Sequence, residues 1–569
     1  MPVDLILLHA PSVYDFRQKT ILYGPVSDLI PPSPAFELYP IGFASLAEYL
    51  ERAGYRVRIV NLAVRMLKDK KFDAEALIKR LRSPVFGIDL HWLVHSHGAI
   101  EIARLVKRCH PESKVVLGGF SASYFYQELL GYPEIDYVMR GDSTEEPLRQ
   151  LMDCIKNKRE PEAVPNLAWR DSQGGIRENP FSYIPTDLGN VMTNHYGNII
   201  HSVLRYRDLT SYIPFKDWLR YPITAVITCR GCTENCVVCG GSAAAFRQFY
   251  NRGKPVFRSP EAVAQDVKQI GRFSNGPIFI LGDLRQPGDG YAGEVLRLLK
   301  KNGVKNQIIF ELFSPASSDL LQQMSVTCPN FCLEISPESH HPEVRRASGK
   351  HYSAEALEQT LSDALDVGCG RLDVFFMIGL PRQTPQSVMD TIDYCGSLLE
   401  RFRGDKRLGL FIAPLSPFLD PGSLGFEQPE RYGYRIRFRT LEEHRQALVA
   451  PSWKYSLNYE TDWMTLHQIA DTAYEAILQL NRLKAKYGVI SKQMAEAGEQ
   501  RVLAARDMIH RIDELLACGN LDEELPRLKP IVDRINMLPV SEKIQLELPL
   551  GLIKLKPWRS LWSWMTGRW

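Results

Sequence analysis

The chain has 569 residues, more than a single hydrophobic core usually spans, so two or three domains are expected. Apolar residues make up 45% and charged residues 24%, the balance of a soluble globular protein and not of a disordered or fibrous one. A net charge of +3 gives no whole-chain attraction for nucleic acid or for a membrane surface, so any partner must be argued from local sites.

The first residues carry no basic segment ahead of their apolar run and no small-residue cleavage site, and no stretch reaches the roughly 18 apolar residues of a spanning helix. A cytoplasmic protein without a membrane span or nucleic-acid partner is expected. Residues 3–8 read as a strand, 41–53 as an amphipathic helix closed by Gly54, and 56–60 as a second strand. Strands over 85–89, 114–119 and 136–140 follow, with a helix over 99–109. Such repeated strand–helix units predict a parallel, doubly wound, Rossmann-like domain over 1–150, with its ligand at the carboxyl ends of the strands.

The pattern weakens over 151–215, which reads as a linker. From 216 to 425 strands are expected at 223–228, 277–281, 307–312, 331–335, 372–378 and 410–413. Six strand–helix repeats are too few for a closed eight-fold barrel and predict a partial, open (β/α)6 one. Beyond 426 the chain is mainly helical, with helices over 466–483, 492–517 and 523–535. The tail 550–569 holds Trp558, Trp562, Trp564 and Trp569 among basic residues; packing on the protein's own surface is the expected role, because Pro557 interrupts any interfacial helix.

Eleven cysteines is an odd number, and Cys229, Cys232, Cys236 and Cys239 crowd into one loop, which suits metal ligation in a reducing compartment. Cys232, Cys236 and Cys239 have the spacing C-x3-C-x2-C, tight enough to grip three irons of a cubane and leave the fourth open. The preceding strand sets this loop at the carboxyl end of the barrel, where barrel enzymes keep their active sites. With Cys229 the run also reads C-x2-C-x3-C-x2-C, which leaves open a closed four-cysteine metal site in a non-catalytic protein.

The cysteine loop resembles the cluster loop of radical S-adenosylmethionine (radical SAM) enzymes, and its pairing with the front domain resembles their cobalamin-dependent, class B methyltransferase subgroup. Position 238, often aromatic in that family, is Val238 here. The resemblance implies a 4Fe-4S cluster on Cys232, Cys236 and Cys239, with S-adenosylmethionine chelated at the open iron. Further parts of the S-adenosylmethionine site are implied at Gly282 and Asp283, which stand in for a Gly-Gly-Glu motif. Ser336 and Glu338 are implied near the ribose, Arg345 or Lys350 at the carboxylate, and Gly379 in the Gly-Leu-Pro turn beside the adenine.

For the front domain the resemblance implies cobalamin, with Gly118 and Gly119 lending bare backbone to its nucleotide tail. The loop after the first strand lacks the Asp-x-His-x-x-Gly motif that supplies a histidine to cobalt. Asp89 and His91 are accordingly expected beside the tail, with a cobalt ligand the lesser reading for His91. The family's activity implies transfer of a methyl group from methylcobalamin to an unactivated sp3 carbon, with an external electron donor. A cobalamin-dependent cyclase or rearrangement enzyme is the alternative within the family, and product mass separates the two.

Residues 413–423 and 452–463 are rich in aromatic and polar groups and follow the barrel, with Trp453, Tyr455 and Tyr459 as candidate substrate walls. These segments resemble those of archaeal and anaerobic-bacterial members, among them the glutamine C-methyltransferase that modifies methyl-coenzyme M reductase. A peptide or protein substrate is therefore expected.

Overall fold

The computed structural model describes residues 3–24, 41–189, 196–328, 330–538 and 555–556. Its front part is a sheet built from β1 (Leu5–His9), β2 (Val57–Asn61), β3 (Val85–Asp89), β4 (Lys114–Gly118), β5 (Tyr137–Met139), β6 (Leu167–Arg170) and β7 (Ile176–Glu178), in the order β2-β1-β3-β4-β5-β6-β7. The first five strands run parallel. β1 and β3 are buried along their whole length, which is why they read as continuous apolar runs and not as alternating ones. Ile6, Leu8, Phe86 and Ile88 pack on one face against Ile100 and Ala103, while Leu5, Leu7, Val57 and Val85 pack on the other against Phe43 and Leu50. Helices on both faces make this the doubly wound α/β unit the periodicity predicts.

β6 and β7 lie inside the stretch that reads as a linker, and they extend this sheet antiparallel. Trp169 anchors them, buried in the second core with its indole N–H donating to Asn179 Oδ1 at 3.1 Å. Both strands are short and β7 is wholly exposed, so neither leaves a periodic apolar signal.

The second sheet holds β8 (Thr224–Ile227), β11 (Ile278–Leu281), β12 (Ile308–Leu312), β13 (Cys332–Glu338), β14 (Arg371–Ile378) and β15 (Leu408–Pro414), in the order β15-β14-β13-β12-β11-β8. Between β8 and β11 lies the ribbon of β9 (Cys229–Arg230) and β10 (Val256–Phe257). All pairings in the large sheet are parallel, the partial barrel expected. Its outer helices start on capping side chains: Ser259, Ser317 and Ser353 each accept from the third backbone N–H beyond, and Thr384 forms a full capping box.

Helices Leu466–Lys486, Lys492–Ala517 and Leu521–Met537 close the chain's described part, and their apolar faces join the same core as the barrel helices. Among the described residues no helix is long and apolar enough to cross a membrane. The tryptophan-rich tail lies outside the described residues except for 555–556, where Lys556 Nζ donates to the Gly271 carbonyl at 2.6 Å.

Candidate active site

The cysteine loop leaves β8 at Thr228, whose hydroxyl donates to the Leu281 carbonyl at 2.7 Å and so fixes the loop's base across the β8–β11 edge. Gly231 turns the chain with φ +93°, where a Cβ would lie 2.9 Å from Pro255 Cα. The loop is then clamped from two sides. Val237 N–H donates to Ser348 O at 3.1 Å, Gly425 N–H to Val237 O at 2.8 Å, and Gly240 N–H to Asp420 Oδ2 at 3.1 Å.

Two backbone N–H groups already point at sulfur: Glu234 N–H at Cys232 Sγ (3.4 Å) and Gly241 N–H at Cys239 Sγ (3.3 Å). Burial pushes the Cys232 thiol up to about 11, with negative charge on Cys236 adding to it, and burial raises Cys236 and Cys239 as well. Without a metal these thiols hold their protons; a bound cation would deprotonate them and inherit the N–H donors. A thiolate-bound iron–sulfur cluster fits this donor set. Cys229 behaves differently: its Sγ lies 3.4 Å from the Gly231 carbonyl and faces Gly282. Among the described residues no three Cys, His, Asp or Glu side chains converge as ligands of one metal ion.

Past the loop, Gly282 has φ +89° and donates its N–H to Glu311 at 2.7 Å. Asp283 is engaged by Arg285 Nε at 2.9 Å and by Phe313 N–H at 2.8 Å. Ser336 is half-buried on β13, and the buried Glu338 follows it with φ +67°. Glu338 Oε1 is 3.9 Å from Lys350 Nζ, while Oε2 has no hydrogen-bond partner. Burial pushes this carboxyl up to about 7, opposed by Lys350. Arg345, by contrast, holds the backbone: Nε donates to Tyr352 O at 2.9 Å and Nη1 to His340 O at 3.2 Å. Of the two cations considered for a carboxylate, Lys350 is the one beside both Cys236 and Glu338.

The concave face of the sheet carries a feature that sequence reading missed. Strand register sets Glu311 opposite Glu334 and Glu334 opposite Asp373, three carboxyls in one rung across β12, β13 and β14. Burial pushes Glu334 up to about 8, with Asp373 and Glu311 adding to it; Asp373 is bridged by Arg371 Nε at 2.8 Å. An acidic residue within each of three mainly apolar strands, Glu311, Glu334 and Asp373, was the available signal.

In the front domain, strand order reverses between β1 and β3, the crevice where doubly wound sheets bind ligands. There Asp89 accepts from His9 Nδ1 at 3.0 Å and from His91 Nδ1 at 2.7 Å. Although burial opposes it, the two imidazoles hold Asp89 well below the usual carboxylate range. His95 completes the cluster, its ring centroid 4.9 Å from that of His91. Gly119 has φ +120°, and a Cβ there would come within 2.4 Å of His91 Cα; a Cβ at Gly118 would make ordinary contact with Met139 O at 3.7 Å. A polar crevice floored by bare glycine backbone fits a large cofactor such as a corrin with a nucleotide tail.

Two ion pairs join this domain to the cluster loop. Arg252, beside the loop, pairs with Asp142 after β5, both almost fully buried, and Arg230 pairs with Glu145 at 3.1 Å. The carboxyl ends of the two sheets are thereby held against one another. The three aromatic residues read as substrate walls have separate positions. Trp453 lines a cavity of about 70 Å³ with Leu22, Val94 and Pro417 and donates to Tyr474 at 2.9 Å. Tyr455 donates to Asp513, and Tyr459 is core, fully buried beneath Gly379.

Residues 32–150 match the B12 binding domain family and residues 226–395 the Radical SAM superfamily. Among curated relatives, the hopanoid C-3 methylase of Methylococcus capsulatus is 24% identical over 279 residues, 48% of each chain. The cytidylyl-2-hydroxyethylphosphonate methyltransferase of Streptomyces wedmorensis is 24% identical over 255 residues, 39% of this chain and 47% of that one. The chain thus spans about half the length of these two relatives. Among solved structures, the radical S-adenosylmethionine methyltransferase TsrM from Kitasatospora setae, with cobalamin and a [4Fe-4S] cluster, superposes with TM-score 0.55 at 16% identity over 77% of this chain and 81% of that one. The cobalamin-dependent radical enzyme OxsB gives 0.52 at 13% over 100% and 84%. These structural likenesses establish the shared fold.

Proposed function

We propose that this chain is a cobalamin-dependent radical SAM C-methyltransferase acting on an unactivated sp3 carbon, on the match of residues 32–150 to the B12 binding domain and of residues 226–395 to the Radical SAM superfamily. The observation that carries this reading is the facing of two sites. A loop of Cys232, Cys236 and Cys239 with N–H donors on its sulfurs is locked through Arg252–Asp142 and Arg230–Glu145 against the crevice holding Asp89 and His91. When bound, the cluster with S-adenosylmethionine supplies a carbon radical, and cobalamin carries the methyl group.

The chain's own residues supply position and exclusion of water. Lys350 and Glu338, the latter with one oxygen unpartnered, are suited to the charged and hydroxyl groups of S-adenosylmethionine. Gly282 and Gly379 admit it close to backbone, and Ser336 offers a hydroxyl. Asp283 and Arg345 act by bracing the neighbouring turns, through Phe313 N–H and the Tyr352 carbonyl. Gly118 and Gly119 serve the corrin's tail. Beside Cys232 a cavity of about 230 Å³ opens between the exposed Arg247 and Lys254, a suitable entry for an acidic electron carrier.

For the substrate we propose a peptide or protein side chain, glutamine included, on the likeness of segments 413–423 and 452–463 to those of the glutamine C-methyltransferase that modifies methyl-coenzyme M reductase. Of the proposed walls, Trp453 borders the cavity of about 70 Å³ and is the substrate residue we retain; Tyr455 and Tyr459 support the fold through Asp513 and the Leu415 carbonyl.

The test is anaerobic reconstitution with iron, sulfide and cobalamin, then incubation with S-adenosylmethionine, a strong reductant and a glutamine-containing peptide library. 5′-Deoxyadenosine together with a peptide mass gain of one CH2 group supports the reading. Deoxyadenosine with an unchanged or isomeric product would favour the cyclase alternative, and its absence from a fully loaded protein would reject the radical assignment.

A further inference from the structure

We propose that the floor of the barrel lumen, between Glu334 and Lys484, is a binding site for an uncharged amide group of the substrate; assigning it to the substrate rests on reading the barrel as the site of methyl transfer. The strands outline this lumen by their alternation. Phe279, Glu311, Glu334, Ser336, Met377 and Ala413 are each half-buried between buried neighbours. Those neighbours, Phe310, Ile335 and Phe376 among them, pack into the core shared with the outer helices, so the half-buried set faces the open inside of the partial barrel. Glu334 is the next lumen position below Ser336 on β13, and a chain descending past the proposed S-adenosylmethionine site reaches it.

Two groups on this floor lack hydrogen-bond partners while their neighbours have them. Glu311 accepts from Gly282 N–H at 2.7 Å, and Asp373, which leans over Gly409, is held by Arg371 Nε at 2.8 and 2.9 Å. Glu334 stands between them in the rung, and its carboxyl makes no hydrogen bond among the described residues. From a different element, helix Leu466–Lys486 brings Lys484 to the same floor. Lys484 is 6% exposed, its Nζ lies 4.8 Å over the Phe411 ring, and that ring stacks on lumen-facing Phe375 at 5.1 Å between centroids. This ammonium lies in the field of Asp373 and makes no hydrogen bond among the described residues. A buried ammonium without an acceptor is costly, and the carboxylate nearest in kind is already engaged by Arg371.

The two groups together select the ligand's chemistry. Burial pushes Glu334 up to about 8, with Asp373 and Glu311 adding to it, so at neutral pH this carboxyl keeps its proton and both donates and accepts. A cationic head group would meet Arg371 and Lys484, and an anionic one would meet Glu311 and Asp373. An amide answers both open groups: its carbonyl oxygen accepts from Lys484 Nζ and its N–H donates to the Glu334 carboxyl. A peptide bond and a side-chain carboxamide share this chemistry, and the apolar Phe279, Phe375 and Met377 suit the aliphatic chain that carries either.

The experiment uses the full chain, anaerobically reconstituted, and saturation-transfer NMR to measure dissociation constants for propionamide, N-methylacetamide, propionate and propylammonium. One or both amides should bind about tenfold or more tighter than either ion, the margin of one hydrogen bond to a charged partner. Propionamide ahead identifies a side-chain carboxamide, and N-methylacetamide ahead a peptide bond. Glu334→Leu and Lys484→Met should each weaken amide binding about tenfold, whereas Glu334→Gln keeps a donor and an acceptor and should retain it. In the wild-type protein the infrared band of a protonated glutamic acid should shift as the amide binds, a readout that stands even where a variant does not fold. An ion that binds as tightly as the amides, no binding of any of the four probes, or amide binding unchanged in both Glu334→Leu and Lys484→Met overturns the site. Absence of 5′-deoxyadenosine from the fully loaded protein would instead reject the methyl-transfer reading, because probe binding is measured without turnover.

Discussion

The hydroxyl of Tyr459 lies directly beneath Gly379: a Cβ added to that glycine would come within 2.1 Å of Tyr459 Oη. The hydroxyl is not free to swing away, since it donates to Leu415 O at 2.9 Å, and Tyr434 Oη donates to the Gly379 carbonyl at 3.0 Å. Gly379 also has φ +97°. Gly379→Ala should therefore combine a left-handed backbone cost of about 1–3 kcal/mol with overpacking of about 1–3 kcal/mol. Its thermal midpoint should fall well below wild type, and adding Tyr459→Phe should recover part of the loss. An unchanged midpoint would show that the turn can relax.

The Arg252–Asp142 pair crosses between the two sheets with side chains 2% and 3% exposed. Removing one partner strands a buried charge, so Arg252→Met should cost roughly 3–5 kcal/mol in urea denaturation, whereas Arg252→Met with Asp142→Leu should recover most of it. A double variant no better than the single one would mean that the pair matters for geometry more than for charge.

Loss of any one of Cys232, Cys236 or Cys239 to Ala should abolish the iron and sulfide retained after anaerobic reconstitution. Cys229→Ala should retain both, because its thiol faces Gly231 O and Gly282. Iron and acid-labile sulfide analysis decides between this pattern and a site using all four cysteines.

Glu334 makes stability depend on pH. Burial raises its folded pKa to about 8 from an ordinary 4.5, so the folded chain keeps this proton to higher pH than the unfolded one. Stability contributed by the group is full below 4.5 and declines as pH rises to about 8, each tenfold difference in proton affinity being worth about 1.4 kcal/mol. Glu334→Gln should remove that decline, so its stability relative to wild type should improve steadily across this window and level off above it. Parallel denaturation curves at every pH would contradict the burial argument.

The sequence alone determined the two parallel sheets, the helices that follow the barrel, and the loop of Cys232, Cys236 and Cys239. These are local signals: apolar runs, capping residues and ligand spacing are set by neighbours a few positions apart. The same locality explains what it overlooked. β6 and β7 are too short to show a period, and Tyr459, a candidate substrate wall in the sequence, is fully buried, because aromatic content says nothing about whether a ring faces a site or the core.

Only the tertiary structure decided which distant groups meet. It brought His9 to Asp89 across 80 positions of sequence, set Glu311, Glu334 and Asp373 in one rung, and set Arg252 against Asp142. Such contacts are fixed by strand register and by the docking of one sheet's carboxyl edge on the other's. Those are properties of the packed chain, in which burial and partner geometry, and not residue type, determine what an imidazole or a carboxyl can do.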